Sequence, residues 1–216
     1  MSAADDRAAE RERLMLAALP HVAFDGWTAT ALATGTHDAG LDEIDARRLF
    51  PGGAAELVRA FADWADARMV ERMAACDLES MAVRDRIGLA VRVRIEAVAP
   101  YREAVRRGLS HFALPTNAAS GLKTLYRTVD AMWYAAGDRT ADFGFYTKRG
   151  LLAGVFSATL VYWLDDTSDG FEATWAFLDR RIADVMRIQR LRGRLERAAG
   201  ALPDPFRLFA ALAARR

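Results

Sequence analysis

Residues 118–136, AASGLKTLYRTVDAMWYAA, place Leu122, Leu125, Val129, Met132 and Ala136 at spacings of three and four. That period lays one apolar stripe along an α-helix. The same rhythm continues on both sides. Downstream it predicts two long helices, at about 142–164 and 170–199, with Asp169 and Glu172 forming a capping box at the start of the second. Upstream it predicts helices at about 101–112, 81–98 and 54–76, the last stacking Leu57, Phe61, Trp64 and Arg68. Pro100 and Pro115 separate these helices, and Phe50-Pro51-Gly52-Gly53 is a break. A first helix over 9–24 carries Leu14, Ala17, Ala18 and Val22 on one face and is terminated by Gly26. Thr28 caps a short second helix, Gly40 suits the turn after it, and Asp42 caps a third through about Leu49. No window alternates as a strand does, so the fold class is all-α.

The chain has 216 residues, 52% hydrophobic and 27% charged, enough to bury a large core in one domain, or in one domain plus an extension. One cysteine, Cys76, excludes a disulfide framework and any multi-cysteine metal site; it is expected as a small buried hydrophobe. Only Lys123 and Lys148 among the 30 basic residues are lysine, an arginine bias that reads as high genomic G+C and a bacterial chain. The net charge of +1 argues against a general nucleic-acid coat. Met1–Arg13 mixes acids with arginines and has no apolar run, so no targeting peptide is expected at this start. The longest uncharged stretch, 150–164, is shorter than the roughly 20 residues a bilayer span needs.

Searches for reaction chemistry return nothing. No glycine-rich phosphate loop, G-x-S-x-G, H-E-x-x-H or Glu-x-x-His pair is present, and His21, His37 and His111 lie far apart in sequence. His111 beside Phe112 reads as a core or boundary residue, and Asp165-Asp166 as loop and capping chemistry. The expectation is a protein that is not an enzyme, with no catalytic residue, no metal and no cofactor beyond a bound ligand.

The first three helices resemble the N-terminal helix–turn–helix unit of the tetracycline-repressor (TetR) family, on the pattern Leu14, Ala17-Ala18, Gly26-Trp27-Thr28, Ala39-Gly40-Leu41, Leu49-Phe50, Gly53 and Glu56-Leu57. The resemblance implies a DNA-reading head on a helical body with a ligand pocket. Charge opposes the DNA half. Residues 28–50 set Asp38, Asp42, Glu43 and Asp45 against Arg47 and Arg48, a balance of −2. Three of those acids open the would-be recognition helix, where phosphate contacts need cations. The head is therefore expected to be vestigial and DNA binding absent; the alternative is a ligand-responsive TetR-type regulator.

The C-terminal half carries a sharper resemblance. The run from Asp130-Ala131-Met132-Trp133-Tyr134 through Asp142-Phe143-Gly144-Phe145-Tyr146-Thr147-Lys148-Arg149, then Asp165-Asp166-Thr167-Ser168 and Phe171-Glu172-Ala173-Thr174-Trp175, is similar to the Coq-nine family. Gly26-Trp27-Thr28, Ala99-Pro100-Tyr101 and Leu114-Pro115 fit in order, so the likeness covers about residues 10–190. It implies a TetR-like fold without DNA recognition, acting as a lipid-binding accessory protein of ubiquinone biosynthesis. Such proteins bind isoprenoid lipids in the bundle and associate with the membrane-bound demethoxyubiquinone hydroxylase. They also dimerise through their C-terminal helices. The family's partner surface corresponds here to Met132, Asp142, Phe145, Tyr146 and Arg149; Phe145 stands where the family often has tryptophan, so an indole N–H is lost.

The residues can be read alongside that likeness. Helix 150–164, apolar nearly all round, must be buried on every side, either by ordinary core or partly by lipid. Phe61, Trp64, Phe112, Leu125, Val129, Leu152, Phe156 and Leu160 are the candidate lipid contacts. Phe143 and Phe145 cannot both face the bundle on one helix; an outward aromatic beside Arg149 suits a partner surface or a dimer mate. Residues 180–216 hold ten arginines against Asp184, Glu196 and Asp204 and end, after Pro203-Asp204-Pro205, in a short amphipathic segment. Phe206, Phe209, Arg215 and Arg216 would contact a membrane there; the alternative is docking on the bundle or a second subunit. The expected organisation is a head over 1–53, a lipid-binding and dimerisation body over 54–200 and a tail over 201–216, in a protein peripheral on the inner membrane of a bacterial cytoplasm.

Overall fold

A computed structural model describes residues 3–137 and 145–200, with side chains for 4–137 and 147–187. Every regular element in those residues is helical: α1 (Ala3–Asp25), α2 (Ala29–Asp38), α3 (Glu43–Leu49), α4 (Gly53–Ala74), α5 (Val83–Val98), α6 (Arg102–Ala113), α7 (Ala118–Ala135), α8 (Phe145–Asp165) and α9 (Glu172–Gly200). Single 3₁₀ turns, Ala99–Tyr101 and Asp169–Phe171, lead into α6 and α9.

Local chemistry sets these boundaries. Thr28 Oγ1 accepts the Ala31 N–H at 3.3 Å, and Asp42 and Asp45 form a reciprocal capping box on α3. Gly26 ends α1 at a φ of +70° with its N–H on the Val22 carbonyl. The helical spacing of α1 starts earlier than its apolar stripe suggested, at Ala3, because Arg7 and Arg11 tie that turn to the Arg48 and Leu49 carbonyls at the end of α3. Helices α1 and α2 meet at Gly35, where a Cβ would lie 2.5 Å from Ala18 Cα, so only glycine permits this crossing.

The core runs continuously from Leu14, Leu19 and Val22 in the head through Leu57, Phe61 and Met69 of α4 to Ile95, Met132 and Trp163 in the body. Helix α4 packs on α5 and α7, α7 on α8, and α8 on α9. Trp27 donates its indole N–H to the Ala104 carbonyl at 3.1 Å and fastens the head to α6. The last carbonyls of α8 are satisfied from α6: Arg106 reaches Leu164 O at 2.7 Å, and Arg102 donates to Trp163 O and Asp166 O.

Three expectations are corrected. Cys76 is exposed, because α4 stops at Ala74 and leaves the thiol on the following turn, bonded to Arg72 O. Helix α8 is not buried all round: Gly150, Gly154, Ala158, Val161 and Tyr162 lie on one open face, since small residues count as apolar without filling space. Asp169 and Glu172 do not cap α9. Ser168 Oγ accepts from Ala173 N at 3.0 Å and Asp166 from Thr174 N at 2.9 Å, because a 3₁₀ turn intervenes.

Candidate functional site

An apolar groove with a volume of about 360 Å³ lies among α4, α5, α6, α7 and α8. Val58 and Phe61 come from α4, Val98 from α5, and Val105 and Leu109 from α6. Leu125 of α7 and Phe156 and Leu160 of α8 complete its walls. Gly121 allows α7 to press on Phe112, where an added Cβ would lie 2.7 Å from Phe112 Cβ. The groove opens beside Leu122 and Val161, which are 69% and 56% exposed. Leu122 thus belongs to the rim, not the core its stripe suggested.

Polar wall residues are few: Arg94, Thr124, Thr128 and Ser157, apart from the satisfied indole of Trp27. Arg94 on α5 donates from Nε to Asp66 Oδ1 of α4 at 2.6 Å and from Nη2 to Ala62 O at 3.3 Å. Thr128 of α7 donates to Asp66 Oδ2 at 2.9 Å. Burial pushes the Asp66 carboxyl above its ordinary range, against the opposing pull of Arg94 and Thr128. A charged pair taken out of water needs this degree of pairing, and it pins three helices at one point.

Three larger hollows are lined differently; one of about 490 Å³ lies in the head among Leu32, His37, Glu43, Arg47 and Phe50. One of about 650 Å³ between α5 and α9 is walled by Arg84, Asp85, Arg92, Asp179 and Arg187, which does not suit hydrocarbon. Another of about 410 Å³ takes Ile87, Leu152, Val155 and Val185 with Arg84 and Arg86 at its edge. Five of the candidate lipid contacts, Phe61, Phe112, Leu125, Phe156 and Leu160, come together on the groove. The other three do not. Trp64 stacks on Phe61 at 6.0 Å and gives its N–H to Glu12; Val129 is packed in the core; Leu152 lines the second hollow. Sequence reasoning passed over Arg94, Asp66 and Thr128.

The candidate partner residues separate similarly. Met132 is fully buried, so a partner cannot touch it from outside. Arg149 is also buried, with Nη2 at 2.6 Å from Asp130 Oδ1. Asp142 lies outside the described residues, as do the side chains of Phe145 and Tyr146 and the tail residues Phe206, Phe209, Arg215 and Arg216. Among the described residues no group of His, Cys, Asp or Glu could hold a metal ion, and no helix is long and apolar enough to cross a membrane. His111 is half-buried, and burial holds its imidazole pKa below the usual value.

In the head, the acids of α3 serve the helix and its arginines. Arg47 pairs with Glu43 at 2.9 Å, and Arg48 with Glu10 at 2.8 Å and Asp45 at 3.3 Å.

This arrangement, a three-helix head on a helical body, is a TetR-like fold. A TetR transcriptional regulator from Nitrosomonas europaea ATCC 19718 superimposes with a TM-score of 0.66 at 20% identity, covering 80% of this chain and 95% of that one. Sequence comparison is more specific. The COQ9 family profile matches residues 118–189. The ubiquinone biosynthesis protein COQ9, mitochondrial, of Rattus norvegicus is 37% identical over 183 residues, 82% of this chain and 58% of its own length. The Homo sapiens protein of that name is 35% identical, covering 82% and 57%, and that of Drosophila melanogaster 33%, covering 86% and 58%. The chain is similar to these COQ9 proteins over most of its own length and spans just under three-fifths of theirs.

Proposed function

We propose that the chain is a non-enzymatic, lipid-binding accessory protein of ubiquinone biosynthesis, holding the isoprenoid part of a quinone precursor in the groove among α4–α8. The carrying observation is an apolar hollow of about 360 Å³ that opens to the outside between exposed Leu122 and Val161. That is within the range of small-molecule sites, roughly 300–1,000 Å³, and suits part of a polyprenyl tail. At about 0.8 kcal/mol per buried CH₂, even one or two isoprene units give useful affinity. Homology to proteins named for ubiquinone biosynthesis supports the same pathway.

In this reading the protein presents its guest to the demethoxyubiquinone hydroxylase at a membrane surface, through the α7–α8 region that contains Phe145 and Tyr146. It pairs with a second copy through the open face of α8, where Tyr162 stacks on Phe177 of α9 at 4.5 Å. Arg149 acts from behind that surface by holding Asp130. The test is mass spectrometry of organic extracts from purified protein. An isoprenoid quinone or its precursor is expected; no lipid, together with no uptake of added quinone, overturns the reading.

A DNA-binding regulator is the competing reading, favoured by the retained three-helix head. The net charge of −2 over residues 28–50, with acids opening α3, weighs against it, because phosphate contacts need an excess of cations.

A further inference from the structure

We infer that the hollow of about 410 Å³ among α5, α7, α8 and α9 is a second binding site, for a single hydrocarbon chain that ends in a carboxylate. Among the described residues none lines both this hollow and the groove, so the inference does not depend on what the groove holds. Part of the wall is hydrocarbon. Ile87, Leu152 and Val155 are buried, and Leu151, Val185 and Met186 are half-buried beside them. The volume lies within the range of small-molecule sites, roughly 300–1,000 Å³.

The rest of the wall is cationic. Arg84, Arg86 and Lys148 line the hollow, and among the described residues no Asp or Glu does. Arg84 is offset by Asp85 at 3.2 Å. Arg86 is held by neutral groups: its Nε donates to Met81 O at 3.0 Å and its Nη1 to Ala136 O at 3.3 Å. Two carbonyls thus fix the guanidinium without cancelling its charge. Gly137, at a φ of +87°, leaves room for it, since a Cβ there would stand 3.3 Å from Nη1. Trp133 lines the same hollow, and its indole N–H is buried with no acceptor among the described residues. An oxyanion is the kind of group that satisfies such donors.

The other hollows lack this combination. In the groove Asp66 neutralises Arg94 at 2.6 Å, and in the head hollow Glu43 pairs with Arg47 at 2.9 Å. Between α5 and α9, Asp85 and Asp179 stand among the arginines. Only the 410 Å³ hollow joins an apolar wall to an excess of positive charge. Its cations are half-buried or exposed, so a carboxylate stays at the more open residues while its chain is buried against the others. Partial exposure also makes the attraction sensitive to salt.

The test is equilibrium dialysis of the full chain against decanoate, 1-decanol and decyltrimethylammonium, which share one chain length. Decanoate is expected to bind about tenfold more tightly than the alcohol, with the cation weakest. Arg86→Gln and 1 M salt should each remove most of that preference. Leu151→Trp, which fills the hollow from a half-buried wall, should weaken decanoate about tenfold, whereas Leu125→Trp, which fills the groove, should leave it unchanged. Where Arg86→Gln fails to fold, the salt arm and the two tryptophan variants decide. No decanoate binding, equal affinity for decanoate and decanol, a preference that survives loss of Arg86 or high salt, or decanoate binding lost in Leu125→Trp and kept in Leu151→Trp, overturns the inference. None of these outcomes bears on a quinone in the groove, whose own failure shows as no quinone uptake while decanoate still binds.

Discussion

Asp66 of α4 and Arg94 of α5 meet at 2.6 Å in a buried ion pair that Thr128 of α7 completes. Removing one member strands a charge without solvent. Asp66→Ala is expected to destabilise the fold by about 3–5 kcal/mol. Replacing both by apolar residues, Asp66→Leu with Arg94→Met, should recover most of that loss. Urea unfolding of the three proteins measures it; a double variant as unstable as the single one would mean the pair itself, rather than the stranded charge, carries the stability.

Gly35 and Ala18 hold α1 and α2 in close contact. A methyl at position 35 meets Ala18 Cα at 2.5 Å, and backbone cannot give way as a side chain would. Gly35→Ala should therefore cost about 1–3 kcal/mol, read as a lower urea midpoint at constant slope. An unchanged midpoint contradicts this packing.

Asp166 supplies the pH dependence. Burial alone would raise its pKa. Its carboxylate instead accepts from Ser168 N and Oγ and from Thr174 N and Oγ1 at 2.5–2.9 Å, and is held well below the usual range. A folded value below the unfolded one, about 3.9, gives stability that is present above pH 4 and lost as the pH falls through the acid range. Asp166→Asn should be less stable than wild type at pH 7, with the gap narrowing steadily as the pH falls below 4. Parallel stability curves for the two proteins would remove this role.

For the head, residues 28–50 carry a net charge of −2, with Asp42, Glu43 and Asp45 at the start of α3. The chain is expected to give no competitor-resistant shift of its own upstream DNA at moderate salt in a gel-retardation assay. A specific shift whose affinity falls steeply with salt would restore the regulator reading.

Much of this fold is legible in the sequence because its signals are local. Thr28, Asp42 and Gly26 mark helix ends by their own side chains or φ, and the spacing in α4 and α7 names the helices. Distance in sequence hides the rest. Asp66 and Arg94 are 28 residues apart, and each reads alone as part of a solvated face. A signal was there: Asp66 follows Val58, Ala62 and Ala65 at helical spacing, and Arg94 falls between Val91 and Val98, so opposite charges sit on two apolar stripes. The open face of α8 gave none, since Gly150, Gly154 and Ala158 look alike whether buried or bare.

The most direct test of a lipid groove is equilibrium binding of a two-isoprene ubiquinone analogue by calorimetry, comparing wild type with Leu125→Trp, which fills the groove from its half-buried wall. Saturable binding by the wild type is predicted, weakened about tenfold or more in the filled variant, at a stoichiometry of about one per chain. Unaltered affinity in a folded Leu125→Trp protein would place the guest elsewhere and contradict the account.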